Sequence, residues 1–320
     1  MRRIVLQTVA SAVALLALTW PIKAADWPQE KPIRMIVPFE PAGLVDVIGR
    51  LLAAHLSDEL GQTVFIENRG GAGGKNGSIQ AMRAPADGYT LLLSGLASHV
   101  IAPLVSDVKP YDGVKDFTHI AYLSGPPLVI AVSKQSGLTS FNDIINKARD
   151  SKIDGYASAG VGTLSHIIME TALKQNKVAI PHVPYNTAAL NDMIAGRVPV
   201  GVFSYGPVAA QAGAGNVRMV ALSTGQRHAA ASDVPTLKEL GYDIVAPSWV
   251  ALSAPAGLDP SIIRKLNEAT NRVLARDDVK KKLFEDAISV EPKSPAETLA
   301  LIQSETNVWT ARMRAMGMVK

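Results

Sequence analysis

"IRMIVPFEPAGLVDVIGRLLAAHLSDELGQTVFIENRGGAGG", residues 33 to 74, decides the fold. Its first seven residues, Ile33 to Phe39, are a nearly continuous apolar run, the pattern of a strand buried on both faces. The period then changes. Val45, Ile48, Leu52, Leu56 and Leu60 fall on one helical face, and Gly61 supplies a C-terminal stop. "TVFIE" (63 to 67) reads as the next strand. Strand, glycine turn, helix, strand is the repeating unit of an α/β protein.

The same alternation runs outward along the chain. A brief helix to Ala84 and the strand "YTLLLSG" (89 to 95) complete a βαβαβ lobe. A second cycle starts near Ile120 with the strand "LVIAVS" and a helix from Phe141, opened by Ser140 with Asp143 three residues on, a capping-box spacing. Next come a strand through Ser158, the turn "GVGTLS" and a helix, then the strand "AIPHVPY", another helix, and the strands "VGVFSY" and "VRMVALS". From Trp249 the chain has one more strand, "WVALSAP", and helices from about 260 to 316, which are expected to pack back on the first lobe. "VPF" (37 to 39) and "VPY" (183 to 185) echo each other, and we read them as equivalent strand ends of two similar lobes. The expected division is 25–124 for the first part of lobe 1, 125–246 for lobe 2, and 247–320 for the return to lobe 1.

The glycine loop raises the question of a nucleotide site, and two motif tests answer it. Gly74-Lys75 has Arg69 where a P-loop needs glycine, and Asn76 where it needs Ser or Thr for magnesium. For the dinucleotide pattern, Gly71 and Gly73 require a third glycine at position 76, which is again Asn76. A glycine turn followed by a helix start near Asn76 still offers N–H groups to a small anion; taken alone it reads as a surface turn.

Residues 1 to 24 combine Arg2 and Arg3, an apolar run from Ile4 to Trp20, and Ala24-Ala25, the pattern of a secretory signal peptide for the general secretory route. The full chain of 320 residues carries a net charge of +4; without Arg2, Arg3 and Lys23 this falls to +1. No basic block remains to point to nucleic acid, and no later apolar stretch reaches the roughly 20 residues of a membrane span. The absence of cysteine excludes disulfides and thiolate chemistry together, so stability must come from a core drawn from a chain that is 48% hydrophobic.

Catalytic and metal motifs are missing. The six histidines, His55, His99, His119, His166, His182 and His228, include no HExxH pair, and Ser204 in "GVFSYG" lacks the GxSxG frame. No cofactor or metal is expected. Ligands of open α/β sheets bind outside the carboxyl ends of the strands, and four small-residue loops furnish that edge: "FEPAGLVD", "RGGAGGKNG", "SAGVGTLSH" and "VPYNTAA". His166, on the first turn of its helix, can donate to a carboxylate or be a structural histidine. Asp46 reads as an acid that serves its own helix start. Tyr185 and Trp249 are pocket walls or core aromatics; spacing does not separate these.

Taken together these loops resemble the Bug (TctC-type) family of periplasmic solute-binding proteins. "KPIRMIVPFEPAGLVDVIGRLLAAHLSDELGQTVFIENRGGAGGKNGS" is similar to the family's opening pattern. "ADGYTLL", "SAGVGTLSH", "VPYNTAALNDMIAGRV", "DVPTLKELGY" and "WVALSAPAG" follow in family order. The resemblance implies an α/β, two-lobed Venus flytrap of the periplasmic type, with a cleft for a small carboxylate between the lobes and no catalysis. It implies uptake with a membrane transporter, or sensing as the alternative, and a monomeric protein. An exported enzyme acting on a carboxylate is the third reading.

The resemblance also implies where the ligand sits. The first glycine turn contributes Phe39, Ala42 and Gly43, and the second turn Ser158, Gly162, Thr163 and His166. Ser94, Tyr185 and Ser204 complete the candidate set, and the glycine loop at 70 to 74 becomes a wall of the cleft. The implied ligand is a dicarboxylate, an aromatic carboxylate or an amino acid. Two positions depart from the family's pattern: Ala42 stands where a glycine is usual, and Glu40 brings a carboxylate to the mouth of an anion site. We expect Glu40 to face outward; facing inward, it would favour a zwitterion.

Overall fold

The computed structural model describes residues 27–320 apart from 42, 162, 186–188, 247, 316, 318 and 320. The signal peptide expected at 1–24 lies outside the described residues. The first sheet holds β1 (Ile33–Val37), β2 (Val64–Asn68), β3 (Thr90–Gly95), β4 (Phe117–Ser124) and β10 (Val250–Pro255), in the order β2-β1-β3-β10-β4. The second holds β5 (Leu128–Ser133), β6 (Tyr156–Ser158), β7 (His182–Pro184), β8 (Val200–Ser204) and β9 (Val217–Leu222), in the order β7-β6-β8-β5-β9. The chain is a two-lobed α/β protein.

Position by position the two orders are the same, so β1 corresponds to β6, β2 to β7 and β3 to β8. Each lobe also carries one antiparallel strand in fourth place, β10 in one and β5 in the other. The expectation of two similar lobes holds at this level, but the motif that prompted it does not. "VPF" ends β1, whereas "VPY" ends β7, the counterpart of β2.

The described helices are α1 (Leu44–Leu60), α2 (Lys75–Met82), α3 (Ala102–Leu104), α4 (Phe141–Arg149), α5 (Leu164–Gln175), α6 (Ala189–Ile194), α7 (Tyr205–Gly213), α8 (Pro260–Ala275), α9 (Asp277–Glu285) and α10 (Pro295–Ala315). In α1 the periodic residues Ile48, Leu52, Leu56 and Leu60 are buried against the first sheet, each contributing roughly 1.5–3 kcal/mol of transfer free energy. Gly61 ends the helix in the left-handed conformation, at φ 62°. The capping box at Ser140 and Asp143 is present as the spacing predicts. The elements that escape the sequence reading include β4, α7, and a π-helical turn at Leu96–Ile101 that follows β3.

Two crossings join the lobes, and their position sets the site. β4 ends at Ser124, paired with Val250, and β10 begins there beside Gly95, the end of β3. β5 begins at Leu128, paired with Ser204, the end of β8. The carboxyl edges of both sheets therefore adjoin the same crossing. Ser124 sits there at φ 64°, and a Cβ on Gly125 would come within 2.8 Å of the Ser248 carbonyl, so the two crossing segments touch.

The C-terminal helices divide their packing. α8 and α9 place Leu266, Val273, Val279 and Leu283 in the first lobe's core. Ile302, Trp309 and Met313 of α10 join a core that also contains Ile167 and Ile168 of α5 and Leu96 and Val100 of the π turn. Arg312 donates to the Val245 carbonyl, which extends α10's contacts onto the second lobe.

Candidate functional site

In each sheet the strand order reverses between the strands in second and third place, and such a switch point is where open α/β sheets bind ligands. In the first lobe this lies between β1 and β3, and in the second between β6 and β8. A short turn leads from the strand in second place into a helix in both cases, from β1 into α1 and from β6 into α5. The first turn of a helix leaves backbone N–H groups without an acceptor in the helix and carries the positive end of its dipole.

The first lobe's turn is held from below. Asn68, the last residue of β2, donates from Nδ2 to the Phe39 carbonyl and to Asp46 Oδ1. Asp46, 2% exposed, also accepts from Arg50 Nε and Nη2. Its carboxylate is a clamp within the lobe, the structural role that its place at N3 of α1 predicts. Phe39 is half-buried and Gly43 exposed, while Ala42 lies outside the described residues.

The glycine loop buttresses this turn. Gly74, at φ 93°, would set a Cβ 2.7 Å from Ser98 Cβ and 3.4 Å from the Phe39 ring. Gly77 lies so close to Pro38 that a Cβ there would be 2.8 Å from Pro38 Cα. The glycines thus let one backbone segment wrap the end of β1, and the loop packs as a wall. Glu40 is exposed and folds back over Gly70, where an added Cβ would meet its carboxylate. No ion pair holds Glu40 among the described residues.

In the second lobe hydroxyls stitch the turn. Ala159 N–H donates to Ser165 Oγ at 3.1 Å, which lies 2.9 Å from Thr163 Oγ1; Thr163 donates to the Gly160 carbonyl and caps α5 by accepting from His166 N–H. Ser158 Oγ accepts from Gly160 N–H and lies 2.6 Å from His182 Nε2. Gly162 lies outside the described residues. His166 is 8% exposed and stacks on His182 with ring centroids 4.1 Å apart; Tyr156 also stacks on His182, with centroids 5.0 Å apart. Burial holds both imidazoles below their ordinary range, and Glu170 pulls the other way.

Beside this turn is a hollow of about 300 Å³ whose walls include Ala159, Ser165, Tyr185, Leu190, Phe203 and Ser204. Its lining is mostly apolar, as a small-molecule pocket requires. Tyr185 donates its hydroxyl to Asp192 and its N–H to the Ser158 carbonyl, so it is tied to the turn through its backbone. A larger hollow of about 460 Å³, around Lys134 and Arg218, opens at the opposite edge of the second sheet, the wrong end of the strands for a switch-point ligand.

The structure thus gathers Ser158, Thr163, His166, Tyr185 and Ser204 at one strand edge and Phe39 and Gly43 at the other. Ser94 stands apart. It is fully buried, and its hydroxyl is directed to the Ala251 carbonyl and Ser253 Oγ of β10. Trp249, 2% exposed, packs in the core at the crossing. Sequence reading missed Ser165, Phe203 and His182; for His182 the signal was its place in "HVPY", one strand from Ser158. Among the described residues no group of three metal-ligating side chains occurs, and no helix is long and apolar enough to cross a membrane.

Two like lobes, joined at the carboxyl edges of their sheets and each presenting a helix start at its switch point, define a solute-binding protein. A family model, "Tripartite tricarboxylate transporter family receptor" (TctC), matches residues 48–318, and the chain belongs to that family. Protein BugT of Bordetella pertussis is 32% identical over 318 residues, covering 98% of this chain and 97% of BugT. Among solved structures, R. palustris Rpa4515 with adipate is similar at a TM-score of 0.85 and 30% identity, covering 92% of this chain and 99% of that one. MatC from Rhodopseudomonas palustris with bound malate follows at 0.80 and 27%, covering 89% and 99%. BugD, a periplasmic binding protein, is similar at 0.82 and 26%, covering 91% and 99%. The family is one of periplasmic solute-binding receptors, not of enzymes.

Proposed function

We propose that this chain captures a small organic carboxylate between its lobes in the periplasm and delivers it to a membrane transporter, without chemical turnover. The observation that carries this reading is the pair of helix starts at the two switch points, with α1 opened by Gly43 and α5 by Thr163. A micromolar ligand needs about 8 kcal/mol, and one helix end supplies at most about 2, so donors from both lobes must act together. Closure of the lobes about the 124–128 and 246–250 crossings would join them. On this reading 25–124 and 247–320 form lobe 1 and 125–246 lobe 2. The bound molecules of the two Rhodopseudomonas palustris proteins, adipate and malate, support a dicarboxylate.

Glu40 favours a second ligand class. Glu40 stands within the Phe39–Gly43 turn, exposed and with no ion pair among the described residues, and turned toward the cleft it would suit a ligand that carries an amine beside its carboxylate. The test is a thermal-melt screen of the mature protein against adipate, malate, aromatic acids, and acidic and neutral amino acids. A ligand at one hundred times its dissociation constant adds about 2.7 kcal/mol, a shift of several degrees. A response to dicarboxylates that strengthens in Glu40→Gln supports the first class; a response to amino acids that is lost in Glu40→Gln supports the second. A flat screen across all of them overturns the carboxylate reading.

A further inference from the structure

We infer that His182 is the positioning residue of the second lobe's half of the solute site, and that the pair it forms with His166 takes up a proton when a carboxylate binds. The inference rests on the proposed carboxylate reading for its second half; the first half concerns the protein alone.

The positioning follows from one hydroxyl. Ser158 is fully buried, and its Oγ has three neighbours: Gly160 N–H at 3.1 Å, the Gly160 carbonyl at 3.3 Å and His182 Nε2 at 2.6 Å. A hydroxyl carries one hydrogen. When Nε2 is bare, Ser158 donates to it and accepts from Gly160 N–H. When Nε2 carries a proton, it donates to Ser158, whose hydrogen must turn to the Gly160 carbonyl. A proton on His182 Nε2 therefore selects the hydrogen-bond pattern inside the turn that opens α5, and charging the ring changes that pattern when the neutral ring is the Nδ1–H tautomer.

The charge argument has the same origin. His182 lies between Tyr156 of β6 and His166 of α5, with centroids 5.0 and 4.1 Å away. Tyr156 donates to Glu170, one helical turn beyond His166 and on the same face of α5. Beyond β7, Tyr185 is bonded to Asp192, which is paired with Arg197. Two imidazolium rings in a stack repel, so the pair accommodates one proton, with Glu170 as its counter-charge. Burial and, for His182, repulsion from His166 make the pair harder to protonate than free imidazole. An anion at the α5 start favours the proton, and by linkage the proton favours the anion. His182 is half-buried on β7, the edge strand of its sheet, which leaves a route for proton exchange with solvent.

The test follows histidine ring and Gly160 amide NMR signals of the mature protein from pH 8 to 5. The pair is expected to bind one proton, and the Gly160 amide to move with the same midpoint. In His182→Gln, whose amide can reach Ser158 but does not titrate, that movement disappears while the thermal midpoint holds; in His182→Ala the turn itself loosens. With adipate or malate added, the midpoint rises, and affinity grows about threefold per unit fall in pH, below the tenfold limit of one full proton. His182→Gln removes this slope. A Gly160 amide that ignores the titration overturns the positioning role, and a pH slope unchanged in His182→Gln overturns the proton uptake. If neither acid binds while Gly160 follows the pair, the carboxylate reading fails, the proton-uptake half falls with it, and the positioning role stands.

Discussion

Gly43 and Thr163 open their helices with the same backbone: φ −73°, ψ 162° at Gly43 and φ −76°, ψ 161° at Thr163. They differ in one respect, for Thr163 caps its helix with a side-chain oxygen and Gly43 has none. That difference leaves the start of α1 the more open to an external acceptor.

Gly43→Asp separates folding from binding at this position. The new carboxylate would cap α1 and add a few tenths of a kcal/mol to stability, since aspartate exceeds glycine at an N-cap by about that much. Among the described residues an added Cβ meets only the Glu40 carbonyl, at 3.3 Å. The same carboxylate would occupy the place proposed for the ligand's. The thermal midpoint is expected to hold or rise while affinity for an anionic ligand falls more than about tenfold, as placing like charges together demands. Retained affinity by calorimetry would remove the α1 start from the site.

Ser94 and Ser204 are predicted to part company. Ser94→Ala removes a buried hydroxyl bonded to Ser253 and the Ala251 carbonyl, and should cost about 1–3 kcal/mol in denaturant unfolding with ligand affinity unchanged. Ser204, which lines the second lobe's hollow, caps no helix N–H with its side chain among the described residues. Ser204→Ala should leave stability within about 0.5 kcal/mol and weaken binding instead. The opposite pattern would return Ser94 to the site.

This contrast shows how far the sequence could be read. The element order was legible because buried parallel strands and amphipathic helices have different periods, and Ser94 and Ser204 were both correctly placed near strand ends. Which way a serine points is set by the neighbouring strand, and β10 comes from a segment more than 150 residues away along the chain. The same non-locality hid His182: its partner Ser158 is joined to it only by the pairing of β6 with β7. The "VPF" and "VPY" echo misled for the converse reason, since local likeness carries no information on strand order.

Gly77 tests whether the glycine loop is a packed wall. A methyl group there would lie 2.8 Å from Pro38 Cα and 2.9 Å from the Arg69 carbonyl, both backbone atoms that cannot swing aside. Gly77→Ala should destabilise by about 1–3 kcal/mol, the usual cost of overpacking, and displace the end of β1. Gly61→Ala is the control for glycine loss without crowding, because an added Cβ there meets nothing within 4 Å among the described residues, although its φ of 62° carries its own strain. Equal costs at the two positions would deny the loop its packing role.

Acid stability should report the buried histidines of the first lobe. His119 is 5% exposed, its Nδ1 lies 3.1 Å from Ser253 Oγ, and desolvation lowers its pKa to about 4; His99, fully enclosed beside it, is held well below its ordinary range. Between pH 6.5 and about 4 the unfolded chain binds a proton at His119 that the folded protein refuses, so stability falls as pH falls through that window and levels below it. A shift of this size corresponds to about 3 kcal/mol for His119, with His99 adding in the same direction. Carboxylates such as Asp143, lowered to about 2 by its bonds to Thr139 and Ser140, gain protons in the folded protein only at more acid pH and act below the window. Urea unfolding at pH 7.5, 6 and 4.5 should therefore show a steady loss that His119→Gln makes shallower, from a lower starting stability. An unchanged slope in that variant would mean that the acid sensitivity arises elsewhere, with the stacked pair His166 and His182 as the next groups to replace.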